Sequence, residues 1–239
     1  MNKATQTERI YYHNSYLPEI TATIVTIDQD EYGHFLIFDR TIFHPQGGGQ
    51  PDDEGCVKVD THCIPITKLW CEKDPAIQGQ IKHYFIPTEQ TEALFALGKT
   101  VTLLINLEKR QLFTRYHSAG HLLSNAVNIL WPHIDGTAGN HFPEQSFVYF
   151  SGGQIDNFDK DQVVQKVTDI IAQDLPCHIT TDKNHRKIQF GDLKPYPCGG
   201  THVTSSGQVG RFEIRSVKFD SKTGRTKIGY TISPLPVCV

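Results

Sequence analysis

The chain has 239 residues, of which 38% are hydrophobic and 21% charged, and its formal net charge is −3 with a pI of about 6.4. This composition is that of a globular protein, and the slight acidity argues against a protein that coats nucleic acid, because phosphate binding depends on Lys and Arg. No apolar run approaches the roughly 18 residues of a membrane span, and the N-terminus lacks the apolar segment of a signal peptide. We therefore expect a cytoplasmic protein that is not a membrane protein.

The six cysteines are scattered over the chain, at positions 56, 63, 71, 177, 198 and 238. Because no secretory signal is present, we expect free thiols or a metal ligand in place of three disulfides. Of the 12 histidines, only those at ligand-like spacing are taken as candidates for chemistry.

Residues from about 9 to 105 are predicted to form β-structure, with one short helix at Glu89–Leu97. Short alternating or β-branched runs are separated by Gly, Pro and Asp, a pattern that is typical of a small barrel or sandwich. The predicted strands are Ile20–Ile27, His34–Asp39, Val57–Thr61, Ile64–Trp70, Gln80–Phe85 and Thr100–Ile105.

The pattern becomes helical at Asn106, which is a suitable N-cap, and stays so to Trp131, since Pro132 ends the run. A second amphipathic helix is predicted over Phe158–Leu175. Further strands are predicted around Ser146–Phe150, Cys177–Thr181, Gly207–Val217 and Lys227–Ile232. The predicted fold class is therefore α+β, with a β-rich N-terminal domain that is a small barrel or sandwich (residues 1–105), followed by an α+β domain (residues 106–239).

Two pairs of residues in the second domain have the spacing of metal ligands. His117 and His121 are four residues apart on the predicted helix and so lie on one face of it. Cys198 and His202 are separated by Gly-Gly-Thr, and the glycines allow a tight turn that brings both side chains to one point. Either pair alone is weak evidence, but together they supply the four N and S ligands of a tetrahedral zinc site. Their spacing does not decide between a structural and a catalytic zinc.

Two other stretches carry candidate functional residues. The segment His44–Pro51 contains three consecutive glycines, and it is either a hairpin turn or a place where the backbone approaches a ligand closely. The segment Arg211–Tyr230 contains six basic residues, and Lys183, His185, Arg186 and Lys187 form a shorter basic cluster. Both are either a solvated surface or a local site for RNA phosphates.

These elements, in this order, resemble the AlaX family, the free-standing relatives of the alanyl-tRNA synthetase editing domain that act in trans. The matching stretches are FHPQGGGQPDDEG, RYHSAGHLLS and CGGTHV, with weaker similarity in AGNHF and GRTKIGY. The resemblance implies a barrel domain bearing the glycine motif and an α+β domain that binds zinc through His117, His121, Cys198 and His202. It also implies hydrolysis of the ester joining a wrong amino acid, serine or sometimes glycine, to alanine tRNA.

The substrate-binding residues implied by the resemblance lie in the same motifs. Synthetase editing domains commonly have threonine just before the second histidine of the helix, where this chain has Gly120, and the identity of the amino acid removed therefore stays open. Zinc could lower the pKa of a bound water or polarise the ester carbonyl, and no side-chain base is assigned. The candidate pocket residues are Gly47, Gly48, Gly49, Gln50, Gly120, His141 and Thr201, and the candidate tRNA-binding residues are Arg211, Lys218, Arg225 and Lys227.

Two rival hypotheses are compatible with the same residues. One is a non-catalytic, zinc-stabilised module that binds tRNA, and the other is a zinc hydrolase that acts on a different ester or amide. The expected partner in the main hypothesis is the acceptor end of alanine tRNA. The sequence makes no prediction of oligomeric state.

Overall fold

The computed structural model describes residues 6–73, 79–155, 157–182 and 185–234. They form two compact units, which are treated separately below. The first consists of the described residues within Met1–Gly47 together with Pro51–Arg110, and the second of Gly48–Gln50 with the described residues within Gln111–Val239. Three residues of the glycine motif thus belong to the second unit. The domain boundary at residue 105 stays a prediction.

The first unit is built around one antiparallel sheet of seven strands, in the order β6-β5-β9-β2-β3-β8-β7. Its inward positions alternate with outward ones, as in β9, where Val101, Leu103 and Ile105 are buried. A short parallel pair, β1 and β4, and a helix, α1, complete the unit. The elements are β1 (Glu8–Arg9), β2 (Glu19–Asp30), β3 (Gly33–Phe38), β4 (Arg40–Thr41), β5 (Gly55–Val59), β6 (His62–Ile66), β7 (Lys68–Cys71), β8 (Ile81–Phe85), α1 (Glu89–Leu94) and β9 (Thr100–Ile105).

The sheet is open, so the expectation of a barrel-like domain is corrected. Within the described residues, the edge strands β6 and β7 do not pair with each other. Only Thr67 separates them, whereas antiparallel pairing of consecutive strands needs a turn of about two residues or more. Thr67 instead donates its backbone N–H to the carbonyl of Tyr84 at 2.8 Å. The predicted single strand Ile64–Trp70 is consequently two strands, β6 and β7, which lie at opposite edges of the sheet.

Cys56 and Cys63 form a disulfide across the β5–β6 hairpin, with their Cα atoms 5.6 Å apart. The expectation of free thiols was wrong for this pair. Cys56 lies opposite Pro65, so that Cys63, two residues before Pro65, points to the same face of the hairpin. Cys71, Cys177 and Cys198 are free cysteines, and Cys238 lies outside the described residues.

The second unit contains two sheets and two long helices. A four-stranded antiparallel sheet has the order β10-β11-β16-β15, and a three-stranded one has the order β12-β13-β14. The elements are α2 (Leu107–Leu130, which begins in the first unit), β10 (Asp135–Asn140), β11 (Phe147–Ser151), α3 (Lys160–Ala172), β12 (Cys177–Asp182), β13 (His185–Phe190), β14 (Tyr196–Pro197), β15 (Arg211–Asp220) and β16 (Arg225–Ser233).

The two helices agree closely with the prediction. Asn106 caps α2, since its side chain accepts a hydrogen bond from the backbone N–H of Lys109 at 3.1 Å. Asp159 caps α3 in the same way, accepting from the N–H groups of Asp161 and Gln162. Both helices bury their apolar sides in one core with β11 and β16. No helix in the described part of the chain combines the length and apolarity needed to cross a bilayer.

Candidate metal centre and its cavity

The four predicted metal ligands lie together in the second unit. The ligand atoms of His117, His121, Cys198 and His202 all lie within 4.8 Å of one another. His117 and His121 project from one face of α2, with ring centroids 5.1 Å apart, and the His202 ring lies 4.7 Å and 5.0 Å from them respectively. The Sγ atom of Cys198 is 3.3 Å from Nε2 of His117. Such a group could hold a metal ion.

The chemistry of the donors fits that role. Nε2 of His121 is buried and has no hydrogen-bond partner among the described residues. Burial lowers the pKa of His121 to about 4, so the ring is neutral at pH 7 and offers a lone pair. Burial raises the pKa of the Cys198 thiol to about 11, so binding of a metal would release a proton from it. Three imidazoles and one thiolate are a donor set that soft and intermediate metal ions prefer.

Gln50 orients the first of these histidines. Its Oε1 accepts hydrogen bonds from the backbone N–H of Thr201 at 2.9 Å and from Nδ1 of His117 at 2.7 Å. A backbone N–H can only donate, so the amide orientation is fixed and Nδ1 of His117 must carry its proton. Nε2 therefore keeps the lone pair on the side of Cys198. The amide nitrogen of Gln50 donates to Oγ1 of Thr201 at 2.8 Å, which joins the glycine motif to the CGGTH turn.

Arg186 holds the CGGTH turn from the other side. One of its guanidinium nitrogens donates to the carbonyls of Cys198 at 2.7 Å and Gly200 at 3.0 Å. The backbone N–H of Gly200 points at the Cys198 sulfur at 3.4 Å. Both arrangements favour a negatively charged sulfur at this point, because they place donors and a positive charge beside it.

A cavity of about 520 Å³ opens beside the four ligands. This volume lies within the range of small-molecule sites. The wall is formed by the glycine motif, the ligand face of α2, strand β10 and the segment before the CGGTH turn. The lining residues are Gly48, Gly49, His117, Gly120, His121, Ser124, Gly136, Thr137, Ala138, Gly139, His141, Val148, Tyr196, Pro197, Cys198 and Gly199.

His141 is held rigidly in this wall. Its ring stacks on that of His117, with centroids 4.6 Å apart and planes 15° apart. Its Nδ1 is 2.7 Å from the hydroxyl of Tyr230. A Cβ atom on Gly120 would come within 2.4 Å of the His141 ring, and one on Gly139 within 2.6 Å. Glycine at position 120 is therefore what gives the imidazole its space, and burial lowers the pKa of His141 to about 3.

The structure brings only part of the predicted pocket set to the cavity. Gly48, Gly49, Gly120 and His141 line it. Gln50 and Thr201 are fully buried and lie behind the ligands, where their side chains bond to each other, and Thr201 also bonds to Thr114. The exposed Gly47 is not among the described lining residues.

The predicted tRNA-binding residues fall into two places. Lys218 and Lys227 are direct cross-strand partners in the β15–β16 hairpin, and Arg225 lies opposite Asp220 at its tip. Arg211 is at the other end of β15 and forms an ion pair with Glu213 at 3.1 Å. Three of the four residues thus share one end of the hairpin.

Several residues of the site were missed by sequence reasoning. Arg186 was predicted to belong to a basic surface cluster, but its side chain is 7% exposed and supports the CGGTH turn. Lys183 of the same cluster lies outside the described residues. The guanidinium of Arg215 donates hydrogen bonds to the backbone carbonyls of Tyr230 and Ser146, so it supports the local structure of the sheet. Tyr230 and Tyr196 were not predicted as site residues. The sequence features next to them were only the weak GRTKIGY match and the prolines near the turn.

Comparison with known proteins agrees with this geometry. Residues 186–226, which include Cys198 and His202, match the family model described as the threonyl and alanyl tRNA synthetase second additional domain. The chain is 31% identical over 232 residues to the alanyl-tRNA editing protein AlaX-L of Pyrococcus horikoshii, covering 87% of this chain and 54% of that protein. It is 28% identical over 228 residues to AlaX-M of the same organism, covering 92% of this chain and 94% of that protein.

An alanine–tRNA ligase of Haloquadratum walsbyi is 25% identical over 232 residues, covering 87% of this chain and 24% of the ligase. The chain thus spans about half the length of AlaX-L and about a quarter of the ligase. The site thus combines a stretch that matches the second additional domain of these synthetases with a cluster of His and Cys residues. The chain is similar to the AlaX editing proteins over most of its length.

Proposed function

We propose that this protein is a zinc-dependent deacylase that hydrolyses the ester of mischarged alanine tRNA in trans. The observation that carries the proposal is the His117, His121, Cys198 and His202 group beside a cavity of about 520 Å³. The names of the AlaX relatives support the choice of substrate, since they are called alanyl-tRNA editing proteins. Serine is the amino acid that we expect to be removed, and glycine is the alternative.

Zinc is the metal that this donor set suggests, because tetrahedral sites of His and Cys ligands are typical of it. Bound there, zinc would supply a Lewis acid for polarising the ester carbonyl and for acidifying water. The chain's own residues contribute orientation: Gln50 fixes the proton of His117, and Arg186 holds the carbonyls of the CGGTH turn. Within the described residues, no carboxylate lines the cavity, so we assign no side-chain base.

A row of cross-strand partners connects the basic hairpin with strand β10, part of which lines the cavity, and supports RNA as the substrate. Lys218 pairs with Lys227, Lys227 with Tyr149, and Tyr149 with Ala138, which lines the cavity. Cross-strand partners point to the same face, so this row spans three strand spacings, about 14 Å. Lys227 also lies over the ring of Phe147, 3.7 Å from its centroid. Cations on this row would bind backbone phosphates of an RNA end.

The test is a deacylation assay with alanine tRNA charged with serine, glycine or alanine. We expect the zinc-loaded protein to hydrolyse Ser-tRNA faster than Ala-tRNA, and Cys198→Ala to lower that rate by at least about 100-fold because a metal ligand is lost. Cys177→Ala is the matched control, since Cys177 is a free, half-buried cysteine outside the ligand group. Equal rates for the wild type and Cys198→Ala would contradict the proposal. Tight tRNA binding without hydrolysis of any ester would favour a binding module instead.

A further inference from the structure

The protonation of His141 is set by a chain of hydrogen bonds. The hydroxyl of Tyr230 donates its single hydrogen to the backbone carbonyl of Tyr116 at 2.8 Å. It can therefore only accept from Nδ1 of His141, 2.7 Å away, and Nδ1 must carry the proton. In this neutral tautomer, Nε2 is a bare acceptor. Tyr230 thus determines which nitrogen of His141 is available in the cavity wall.

No other described side chain satisfies that acceptor. His141 lines the cavity, and no hydrogen bond to its Nε2 occurs within the part of the chain that the structure describes. The backbone N–H of His141 donates to the carbonyl of Gly49 at 2.8 Å, which anchors the residue on a third side. The ring is thus a fixed acceptor that reaches the space next to the metal ligands.

Two hydroxyl groups of the cavity wall differ from it. The hydroxyl of Ser124 donates to the carbonyl of Gly120 at 2.9 Å, and that of Thr137 lies 3.3 Å from the carbonyl of Tyr149. Their hydrogens are used within the protein. A ligand hydroxyl that donates to this lone pair gains a hydrogen bond, whereas a ligand with a methyl group or hydrogen at the same place displaces solvent from the lone pair and leaves it unpaired.

We propose that Nε2 of His141 accepts a hydrogen bond from the side-chain hydroxyl of the esterified amino acid, so that the site selects hydroxy amino acids over alanine and glycine. This inference depends on the proposed function and adds the residue that determines selectivity. The hydroxyl of serine donates to the lone pair of Nε2. Nε2 of His141 would thus bind the substrate hydroxyl in place of a hydroxyl side chain at position 120.

The test compares the ratio of kcat/KM for Ser-tRNA to that for Gly-tRNA. His141→Phe keeps a ring in the glycine-lined space but removes the acceptor, and we expect it to lower the ratio about 10-fold, the value of one hydrogen bond. Activity toward Gly-tRNA is the internal control for folding and metal binding. An equal fall with both substrates would mean that Nε2 acts on a group common to all esters, and would overturn the proposal, as would an unchanged ratio.

A second variant tests the tautomer itself. Tyr230→Phe leaves His141 in place but removes the hydroxyl that fixes the proton on Nδ1, so we expect a smaller fall in the same ratio. Long-range ¹⁵N–¹H spectra of histidine-labelled wild-type protein should show Nδ1 of His141 protonated and Nε2 unprotonated. The opposite tautomer would overturn the inference without affecting the deacylase assignment. A wild type that hydrolyses none of the esters would instead refute the proposed function.

Discussion

The amide oxygen of Gln50 accepts a hydrogen bond from Nδ1 of His117 at 2.7 Å, although 67 residues separate the two along the chain. The glycine motif therefore reaches the metal centre through its last polar residue as well as through its backbone. Partners of this kind, bonded to the far nitrogen of a ligating histidine, fix the tautomer and direct the other nitrogen to the metal. Gln50 thus bonds to a candidate metal ligand, and it is not among the described residues that line the cavity.

We expect Gln50→Leu to weaken zinc binding about 10- to 100-fold, because such outer partners contribute that much to metal affinity. The free Nδ1–H of His117 would then lack its acceptor, and the ring could rotate. Competition with a chromophoric chelator measures the change. Gln111→Leu is the matched control: the same substitution falls on an exposed position of α2. Equal affinities for the wild type and Gln50→Leu would contradict the role assigned to the amide.

In the first unit, two adjacent ion pairs are expected to differ strongly in their effect on stability. Arg110 binds Asp53 with both side chains 1% exposed, and it also donates to the carbonyls of Ser15 and Ile42. The next pair, Lys109 with Glu54, has side chains that are 46% and 58% exposed. Asp53→Ala should lower the free energy of unfolding by about 3–5 kcal/mol, because it leaves a buried guanidinium without its counter-charge.

Glu54→Ala is the control for this experiment and should cost about 1 kcal/mol or less, since exposed pairs are screened by solvent. Urea denaturation of both variants gives the two values. Similar losses for the two substitutions would show that burial of the Arg110–Asp53 pair is not what makes it important.

His83 should make stability depend on pH. It is completely buried in the first unit, with Nε2 2.9 Å from Oγ1 of Thr41 and Nδ1 3.3 Å from the carbonyl of Leu36. Burial lowers its pKa from 6.5 to about 4. The unfolded chain therefore binds a proton more readily, so stability is complete above pH 6.5 and is lost as the pH falls toward 4.

This shift corresponds to roughly 3 kcal/mol lost between pH 6.5 and pH 4. We expect His83→Phe to show a smaller difference in unfolding free energy between pH 7 and pH 4 than the wild type, measured by urea denaturation at each pH. His13→Gln, at an exposed position, should behave as the wild type does. A variant and wild type with the same pH dependence would exclude His83 as its source.

The convergence of the four candidate metal ligands could be predicted because their geometry is local. Residues four apart on a helix must share a face, and two glycines between Cys198 and Thr201 allow only a short turn, so each pair converges without knowledge of the fold. The supporting hydrogen bonds could not be predicted in that way. Gln50 and Thr201 are 151 residues apart, and only the folded chain brings their side chains together.

The helices and most strands were predicted because their apolar periodicity is strong. Strand β10 was missed, since its sequence Asp-Gly-Thr-Ala-Gly-Asn has no apolar alternation and three of its residues are small. Pairing with β11 makes it a strand, and the lack of a side chain at Gly139 leaves space for His141. Tertiary contacts here outweigh local propensity. The prediction of a barrel was wrong for a different reason. Only one residue, Thr67, separates the edge strands β6 and β7, and the pattern of strands along a sequence does not show whether the two edges of a sheet pair.

The basic end of the β15–β16 hairpin should account for part of the salt dependence of tRNA binding. Lys218 and Lys227 lie on the row that leads to the cavity, whereas Arg211 is paired with Glu213 at the opposite end of β15. Each cation that contacts a phosphate contributes about one to the slope of log K against log salt concentration. Lys218→Gln with Lys227→Gln should therefore reduce the slope by about two and weaken binding at low salt.

Arg211→Gln is the matched control, and we expect its slope to stay within about half a unit of the wild type because Glu213 already neutralises the guanidinium. Fluorescence anisotropy with labelled alanine tRNA, between about 50 and 200 mM salt, gives both slopes. A larger effect of Arg211→Gln than of the double substitution would place the RNA at the other end of the strand. It would also remove the row from Lys218 to Ala138 as the place where the phosphates bind, because they would then lie at the far end of β15.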